Sequence, residues 1–355
     1  MEQRTRFIIG GLAAGTLLAG TAAGVGTAIA IKRGRERLRR YRRRELAGKT
    51  VLITGGSRGL GLAMAEEFAE AGAKIAICAR DEQELMRARQ HLEQMGVEVC
   101  AVACDVSRPE QVQRMVDSVQ QQLGRIDVLV NNAGVIAAGP LLSQTVEDFE
   151  EAMNVMFWGT VHPTLAVLPQ MISRGAGRVV NISSIGGRVA VPHLVPYCCA
   201  KFACAGFSEG LHAELKRFGI HVLTVVPGLM RTGSHLHAQF KGKHKQEFSW
   251  FALSGTNPLA SISAKRAARK IVSATCSNRA DLVISWQAKL LAEAHGVAPG
   301  LTQEALALVN RLLPDAGGVT DKKPGHESQS VVTRSPLTML GKWAARRYNQ
   351  LAEIA

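Results

Sequence analysis

The chain has 355 residues, a mass of 38.1 kDa and a formal net charge of +14. With 46% hydrophobic and 20% charged residues, it is not a disordered, collagen-like or disulfide-stapled chain. Its length accommodates one large domain or two small ones, and seven cysteines in so long a chain fit reduced thiols. The charge is local: residues 1–44 carry a net +9 and the rest a net +5, so the pI of about 9.8 mostly reports the N-terminus.

After a short flank (residues 1–6), no charged residue occurs in the 25 positions from Phe7 to Ile31. As a helix that stretch spans roughly 37 Å, enough for a hydrocarbon core of about 30 Å with some tilt. A basic segment follows over 32–44, beginning Lys32-Arg33 and ending Arg42-Arg43-Arg44. The positive-inside rule then gives a single-pass membrane anchor over 7–31 with the C-terminal side in the cytoplasm. A cleaved signal peptide ending near Ala28-Ile29-Ala30, an Arg-rich organelle-targeting sequence and a nucleic-acid arm are the competing readings. Dense Arg directly after the apolar run opposes translocation, and a nucleic-acid arm does not explain the apolar run. The anchor is therefore preferred, and no nucleic-acid partner is expected. The spacings Gly11-xxx-Gly15 and Gly20-xxx-Gly24 would let two such helices pack closely, though a Gly-rich stretch produces them readily.

From residue 45 the pattern becomes strand then helix, repeated. Apolar runs predict strands at Thr50–Thr54, Lys74–Ala79, Val97–Ala103, Ile126–Val130, Arg178–Ile182, Ile220–Val226 and Leu282–Ser285. Between them, helices are predicted over 59–72, 81–95, 109–123, 145–173, 195–218 and 263–276. Alternation of this kind reads as right-handed βαβ units, hence an α/β doubly wound parallel sheet of the Rossmann type in one catalytic domain over 45–290. Residues 230–260, with several His and Lys and the aromatics Phe240, Phe248, Trp250 and Phe251, read as a substrate lid or as an ordinary surface excursion. The C-terminal extension 291–355 contains a predicted flexible linker over 314–336. A short basic helix follows at Leu337–Leu351, either docked on the body or touching a membrane surface.

The turn Thr54-Gly55-Gly56-Ser57-Arg58-Gly59-Leu60-Gly61 lies between the first strand and the first helix. Glycines there let the backbone approach a pyrophosphate whose charge meets the helix N-terminus. The same residues match Gly-x-Ser-x-Gly through Gly55, Ser57 and Gly59, the pattern of a hydrolase nucleophile elbow. Its place after the first strand of the body, and the additional Gly61, favour the dinucleotide. The second strand ends Ala79-Arg80, where a ribose 2′-hydroxyl would want a carboxylate and a 2′-phosphate wants cations. Arg58 and Arg80 can clamp that phosphate, so NADP(H) is preferred over NAD(H).

Tyr197 and Lys201 stand four apart on one helix face, where an ammonium favours phenolate and lowers the tyrosine pKa. That combination suits a general acid/base for a carbonyl/alcohol pair. Ser184, just past the strand Arg178–Ile182, can hold the substrate oxygen. Asp105-Val106, Asn131-Asn132-Ala133-Gly134, Asn154, Ser183-Ser184, Tyr197-x-x-x-Lys201 and Pro227-Gly228 follow the glycine turn in order. Together these motifs, from about Lys49 to Ser285, make the chain similar to the short-chain dehydrogenase/reductases.

That resemblance implies hydride transfer between a nicotinamide and a substrate carbon, with Tyr197 as acid/base and Ser184 polarising the carbonyl. It implies that Lys201 lowers the Tyr197 pKa and binds the nicotinamide ribose, while Asn154 holds a water linking Lys201 to solvent. Asp105 and Val106 would contact adenine. The segment Asn131, Ala133 and Gly134 would support the cofactor, and Pro227, Gly228, Leu229 and Thr232 would hold the carboxamide. It also implies that helices 145–173 and 195–218 pair subunits into a homodimer or homotetramer. Cys198 and Cys199 read as small packing residues, and Cys100 with Cys104 lacks partners for a metal site. The sequon Asn181-Ile182-Ser183 falls at a buried strand end and is discounted.

The expected protein is thus a membrane-anchored, cytoplasm-facing NADPH-dependent carbonyl reductase acting reversibly on a ketone or aldehyde. An anchor near a bilayer, with the lid aromatics, suggests a lipophilic substrate. The alternative is a membrane-tethered NADP(H)-binding scaffold or redox sensor without turnover.

Overall fold

A computed structural model describes residues 34, 36–38, 40–317, 321–330, 333 and 338–350. The anchor expected over 7–31, the flank 1–6 and residues 32–33 lie outside the described residues. Among the described residues, no helix is long and apolar enough to cross a membrane. The chain divides into two units, Met1–Glu45 and Leu46–Ala355. In the first, residues 34, 36–38 and 40–45 are helical.

The second unit opens with β1 (Thr50–Thr54), α1 (Gly59–Glu70), β2 (Lys74–Ala79), α2 (Glu82–Glu93), β3 (Val99–Ala103) and α3 (Pro109–Leu123). It continues through β4 (Ile126–Asn131), α4 (Val146–Ala152), α5 (Gly159–Ser173), β5 (Gly177–Ile182), α6 (Val195–Leu215) and β6 (Ile220–Pro227). Then come α7 (His244–Thr256), α8 (Ala264–Cys276), β7 (Asp281–Ile284), α9 (Trp286–Val297), α10 (Pro299–Asn310) and α11 (Met339–Arg347). The seven strands form one sheet in the order β7-β6-β5-β4-β1-β2-β3, every pair parallel. This is the doubly wound parallel sheet the apolar runs predict.

Local chemistry sets the helix starts. Asp81 accepts from the Glu84 amide at 2.7 Å to cap α2, Pro109 opens α3, and Thr145 with Asp148 forms a capping box on α4. Strands β1 and β4 present apolar side chains to both faces, and two cores form, one on each side of the sheet. The predicted helix 145–173 is broken instead by a π-turn at Met153–Trp158 between α4 and α5.

Within 230–260, Gln239–Phe240 pairs with Ala137–Ala138 and with Lys323–Pro324 in a small three-stranded sheet. Phe240 packs edge-on against Phe248 and Phe251 at 5.4 and 5.7 Å between ring centres. Phe240 and Phe248 are buried in a core with Leu236, Ala238 and Ala345. These aromatics therefore fill a minor core, and the support they lent to an apolar substrate pocket falls away.

Within the linker expected over 314–336, the described residues 321–330 make defined contacts. The Asp148 carboxylate is buried and needs cations: Lys241 binds it, and Lys322 reaches it at 2.9 Å and Glu151 at 2.5 Å. The Gly325 and His326 amides donate to Ala238 and Leu236 carbonyls at 2.9 and 3.1 Å, so this stretch is strapped down. Helix α11 docks through Gly341, Ala344 and Ala345 and leaves Met339, Leu340 and Trp343 exposed.

Candidate active site

A cavity of about 480 Å³ opens along the carboxyl ends of β1, β2, β4, β5 and β6, where the strand order reverses between β1 and β4. Its first wall is the glycine turn. Gly61 lies so close to the turn that an added Cβ would collide with the Gly55 carbonyl and stand 2.8 Å from Asn132 Nδ2. Asn132 Nδ2 locks the turn by donating to the Thr54 and Gly55 carbonyls, each at 3.0 Å.

Not every motif residue reaches the cavity. Gly55, Ser57, Arg58, Gly59, Leu60, Gly61, Arg80, Asp105, Val106, Ala133, Gly134, Pro227, Gly228 and Thr232 all line it. Thr54 does not: it is fully buried, and its hydroxyl accepts from the Asn132 and Ala133 amides at 3.0 and 3.1 Å. Asn131 is likewise a support. It donates to Thr164 at 2.9 Å and to Asn181 at 2.8 Å, and Asn181 continues to Ser208 and Thr224. That buried network braces β4, β5 and β6 beneath the site. Leu229 is exposed and outside the lining.

The cationic clamp is asymmetric. The Arg58 guanidinium is already held by Glu84 at 2.8 Å and His237 Nδ1 at 3.0 Å, while Ser57 donates to the same buried Glu84. Arg80 is exposed at the cavity edge. Beside it, Asp105 accepts from Ser107 N and Oγ at 3.0 and 2.7 Å. Burial raises the Asp105 carboxyl, but Ser107, Arg80 and Arg108 outweigh it and hold the pKa below its usual value. Glu84, His237 and Asn132 all matter here. Only Asn132 carried a sequence signal, inside the Asn131–Gly134 motif.

At the other end Ser184, Tyr197 and Lys201 converge on the lining. Ser184 accepts from the Gly186 amide at 3.0 Å and hydrogen-bonds the Tyr197 phenol. The neighbouring Ser183 instead donates to the Lys201 carbonyl at 2.8 Å. Lys201 Nζ donates to the Ile182 carbonyl at 2.8 Å and lies 5.9 Å from the Tyr197 ring centre. Burial pushes the Tyr197 phenol up to about 12, opposed by the Ser184 hydrogen bond. Burial also pushes the Lys201 ammonium down. The direction at Tyr197 is therefore upward, and burial sets it. Cys198 is buried beside the Val191 amide at 3.4 Å and Cys199 is exposed.

Asn154 is the clear departure. It sits in the π-turn, exposed, and is absent from the cavity lining. Met156 faces inward instead, buried against Tyr197, Ala152 and Ala200. Asn154→Ala should therefore leave kcat within about twofold, as for an ordinary surface residue. Steady-state kinetics check this, and a hundredfold loss would return Asn154 to the proton path.

A second cavity of about 180 Å³ also meets Tyr197, and its wall mixes Val135, Ile136 and Met156 with Arg58, Asp148, Glu151 and His237. Among the described residues, no cluster of three His, Cys, Asp or Glu could hold a metal ion.

Comparison with known proteins agrees with this geometry. The family profile described as "short chain dehydrogenase" matches residues 49–240. The Danio rerio protein dehydrogenase/reductase SDR family member 7B is 32% identical over 296 residues, covering 80% of this chain and 89% of its own. The structure of L-sorbose reductase from Gluconobacter frateurii, complexed with NADPH and L-sorbose, aligns with a TM-score of 0.61 at 28% identity, covering 68% of this chain and 96% of its own. A short-chain dehydrogenase/reductase from Burkholderia phymatum in complex with NAD aligns with a TM-score of 0.67 at 25% identity, covering 72% and 96%. The chain belongs to the short-chain dehydrogenase/reductase family and is an NAD(P)-dependent oxidoreductase of CH–OH and carbonyl groups.

Proposed function

We propose that this protein reduces a ketone or aldehyde with NADPH, and oxidises the alcohol in reverse. The observation that carries the reading is the convergence of Ser184, Tyr197 and Lys201 on one wall of the larger cavity, with Tyr197 also reaching the second. The residues present fit a nicotinamide dinucleotide: a turn with no room for a Cβ at Gly61, the N-terminus of α1, and a lining that runs from Asp105 to Tyr197. When bound, the dinucleotide supplies the hydride. Ser184 holds and polarises the substrate oxygen, and Tyr197 donates its proton to that oxygen during reduction. Lys201, on the same cavity wall, binds the nicotinamide ribose in this reading.

Preference for NADP(H) rests on Arg80, with Arg58 contributing less because Glu84 already engages it. A lipophilic substrate would meet Val135, Ile136 and Met156 on the wall of the second cavity, a wall that also carries Arg58, Asp148, Glu151 and His237. Exposed Trp158, Leu165, Ile172 and Phe202 on the π-turn, α5 and α6 suit pairing of two copies into a homodimer or larger oligomer. The single-pass anchor and the cytoplasmic orientation of the catalytic unit rest on residues 7–31 and 32–44.

The test is oxidation of NADPH and NADH by the full-length chain against lipophilic and small polar carbonyls. Arg80→Ala should cut the NADPH-over-NADH ratio of kcat/KM by about tenfold to a hundredfold, the worth of a charge-assisted contact. A wild-type preference for NADH would overturn the cofactor reading, and turnover confined to polar carbonyls would overturn the substrate reading.

A further inference from the structure

Residues after α11 cross the mouth of the dinucleotide cavity. Gly59 N donates to the Tyr348 carbonyl at 3.0 Å. Asn349 Nδ2 donates to the Ser57 and Glu84 carbonyls, each at 3.0 Å, and its Oδ1 accepts from Arg87 at 3.1 Å. The Gln350 carbonyl pairs with His237 Nε2 at 2.9 Å, and Arg347 reaches Glu66 at 3.0 Å. These bonds fix the backbone of 348–350 independently of what the Gln350 side chain does.

That side chain is buried, 2% exposed, and contributes to the walls of both cavities. It lies over the glycine turn: Nε2 is 2.8 Å from where a Cβ on Gly59 would stand, and Thr232 Cβ is 3.8 Å from the same point. Gly59 has φ +57, so the turn uses a backbone conformation that favours glycine. The Gln350 Oε1 is buried and has no hydrogen-bond partner among the described residues. A buried carboxamide oxygen without a partner is costly on its own, and the group it lacks is a hydrogen-bond donor.

We propose that Gln350 is a ligand of the dinucleotide, supplied to the site by the C-terminal segment. The inference rests on the dinucleotide reading above. The carboxamide sits between the N-terminal turn of α1, where a diphosphate is favoured, and Thr232. Its N–H donates to a diphosphate oxygen, and its carbonyl oxygen accepts from a hydroxyl or amide N–H of the same molecule. A neutral side chain that both donates and accepts suits this place. A carboxylate would repel the diphosphate.

The experiment titrates NADPH into the full-length chain and its Gln350→Ala and Gln350→Glu variants, reading nucleotide fluorescence. The Kd should weaken about tenfold for Gln350→Ala and about a hundredfold for Gln350→Glu, as loss of a hydrogen bond to a charged group and its replacement by repulsion require. Tryptic cleavage at Lys342, Arg346 and Arg347 reports the segment itself. Wild type and Gln350→Ala should be cut at equal rates without NADPH, and NADPH should slow cleavage of the wild type more. Faster cutting of Gln350→Ala without NADPH would assign the side chain to docking alone and overturn the proposal. Binding within twofold of wild type, or tighter, in both variants would overturn it too. If wild type binds neither NADPH nor NADH, the dinucleotide reading fails first. If binding and Tyr197-dependent turnover persist unchanged in both variants, only the role of Gln350 fails.

Discussion

Replacing Tyr197 by Phe should lower carbonyl turnover by about a thousandfold, within the range that a positioned general acid contributes. The dinucleotide Kd should stay within about twofold, because the substitution removes one hydroxyl and leaves the ring packed against Met156 and Ala200. The hydroxyl lost is the one hydrogen-bonded to Ser184, so no backbone contact depends on it. Stopped-flow or steady-state kinetics together with an equilibrium titration separate the two quantities. If Tyr197→Phe keeps near-wild-type turnover, the proton comes from elsewhere. If neither chain turns over any carbonyl while both bind NADPH, a scaffold or redox sensor becomes the better reading.

The same phenol sets the pH dependence. Burial pushes Tyr197 up to about 12, so the protonated form that serves reduction prevails from neutral to strongly alkaline pH. Oxidation of the alcohol requires the phenolate, whose fraction below that pKa grows about tenfold per pH unit. The reductive rate should therefore be flat between pH 6 and pH 9, on the order of those bounds, while the oxidative rate climbs throughout. An oxidative plateau near neutral pH would mean that Lys201 governs the phenol after all.

Gly61→Ala should damage both stability and binding. The added methyl would overlap the Gly55 carbonyl oxygen and stand 2.9 Å from the Gly55 carbonyl carbon, and backbone cannot swing aside as a flexible side chain can. It would also press on Asn132 Nδ2, whose two hydrogen bonds hold the turn against β4. Overpacking of this kind costs about 1–3 kcal/mol, or roughly 2–4 °C of melting temperature per kcal/mol for a unit of this size. Dinucleotide affinity should fall by at least about tenfold, since the amides that face the diphosphate belong to the displaced turn. Thermal melting and NADPH titration check the pair. A variant that melts and binds like the wild type would show that the turn has slack the packing does not reveal.

The strands were legible because a parallel sheet covered on both faces demands continuous apolar runs, and β1 and β2 match their predicted bounds residue for residue. The glycine turn and the Tyr197–Lys201 spacing were legible because few residue types satisfy a close backbone approach or a shared helix face. Thr54 and Asn131 show the limit of motif reading. Both belong to the right motifs, but their polar groups bind neighbouring backbone and side chains beneath the cavity. Asn154 is harder to read for a different reason: it lies exposed in a π-turn, and no propensity marks such a turn. Nothing in the spacing of Tyr348, Asn349 and Gln350 signals a site either, because Tyr348 engages the glycine turn through its main-chain carbonyl and Asn349 through a carboxamide that no motif surrounds. The helices α9 and α10 leave Trp286, Leu290, Leu301 and Leu308 exposed, so no buried periodic face announced them.

The bond between Asn349 and Ser57 joins residues 292 positions apart. During synthesis a nascent chain that has released β1 through β7 can assemble its sheet and both cores, since N-terminal parts fold first as they emerge. The rim of the glycine turn must wait for residues 348–350 to leave the ribosome. Closing so long a loop is slow relative to local contacts. The folding sheet and the completed site are therefore separated in time, and until residues 348–350 arrive the turn faces water with its Gly59 amide unclaimed.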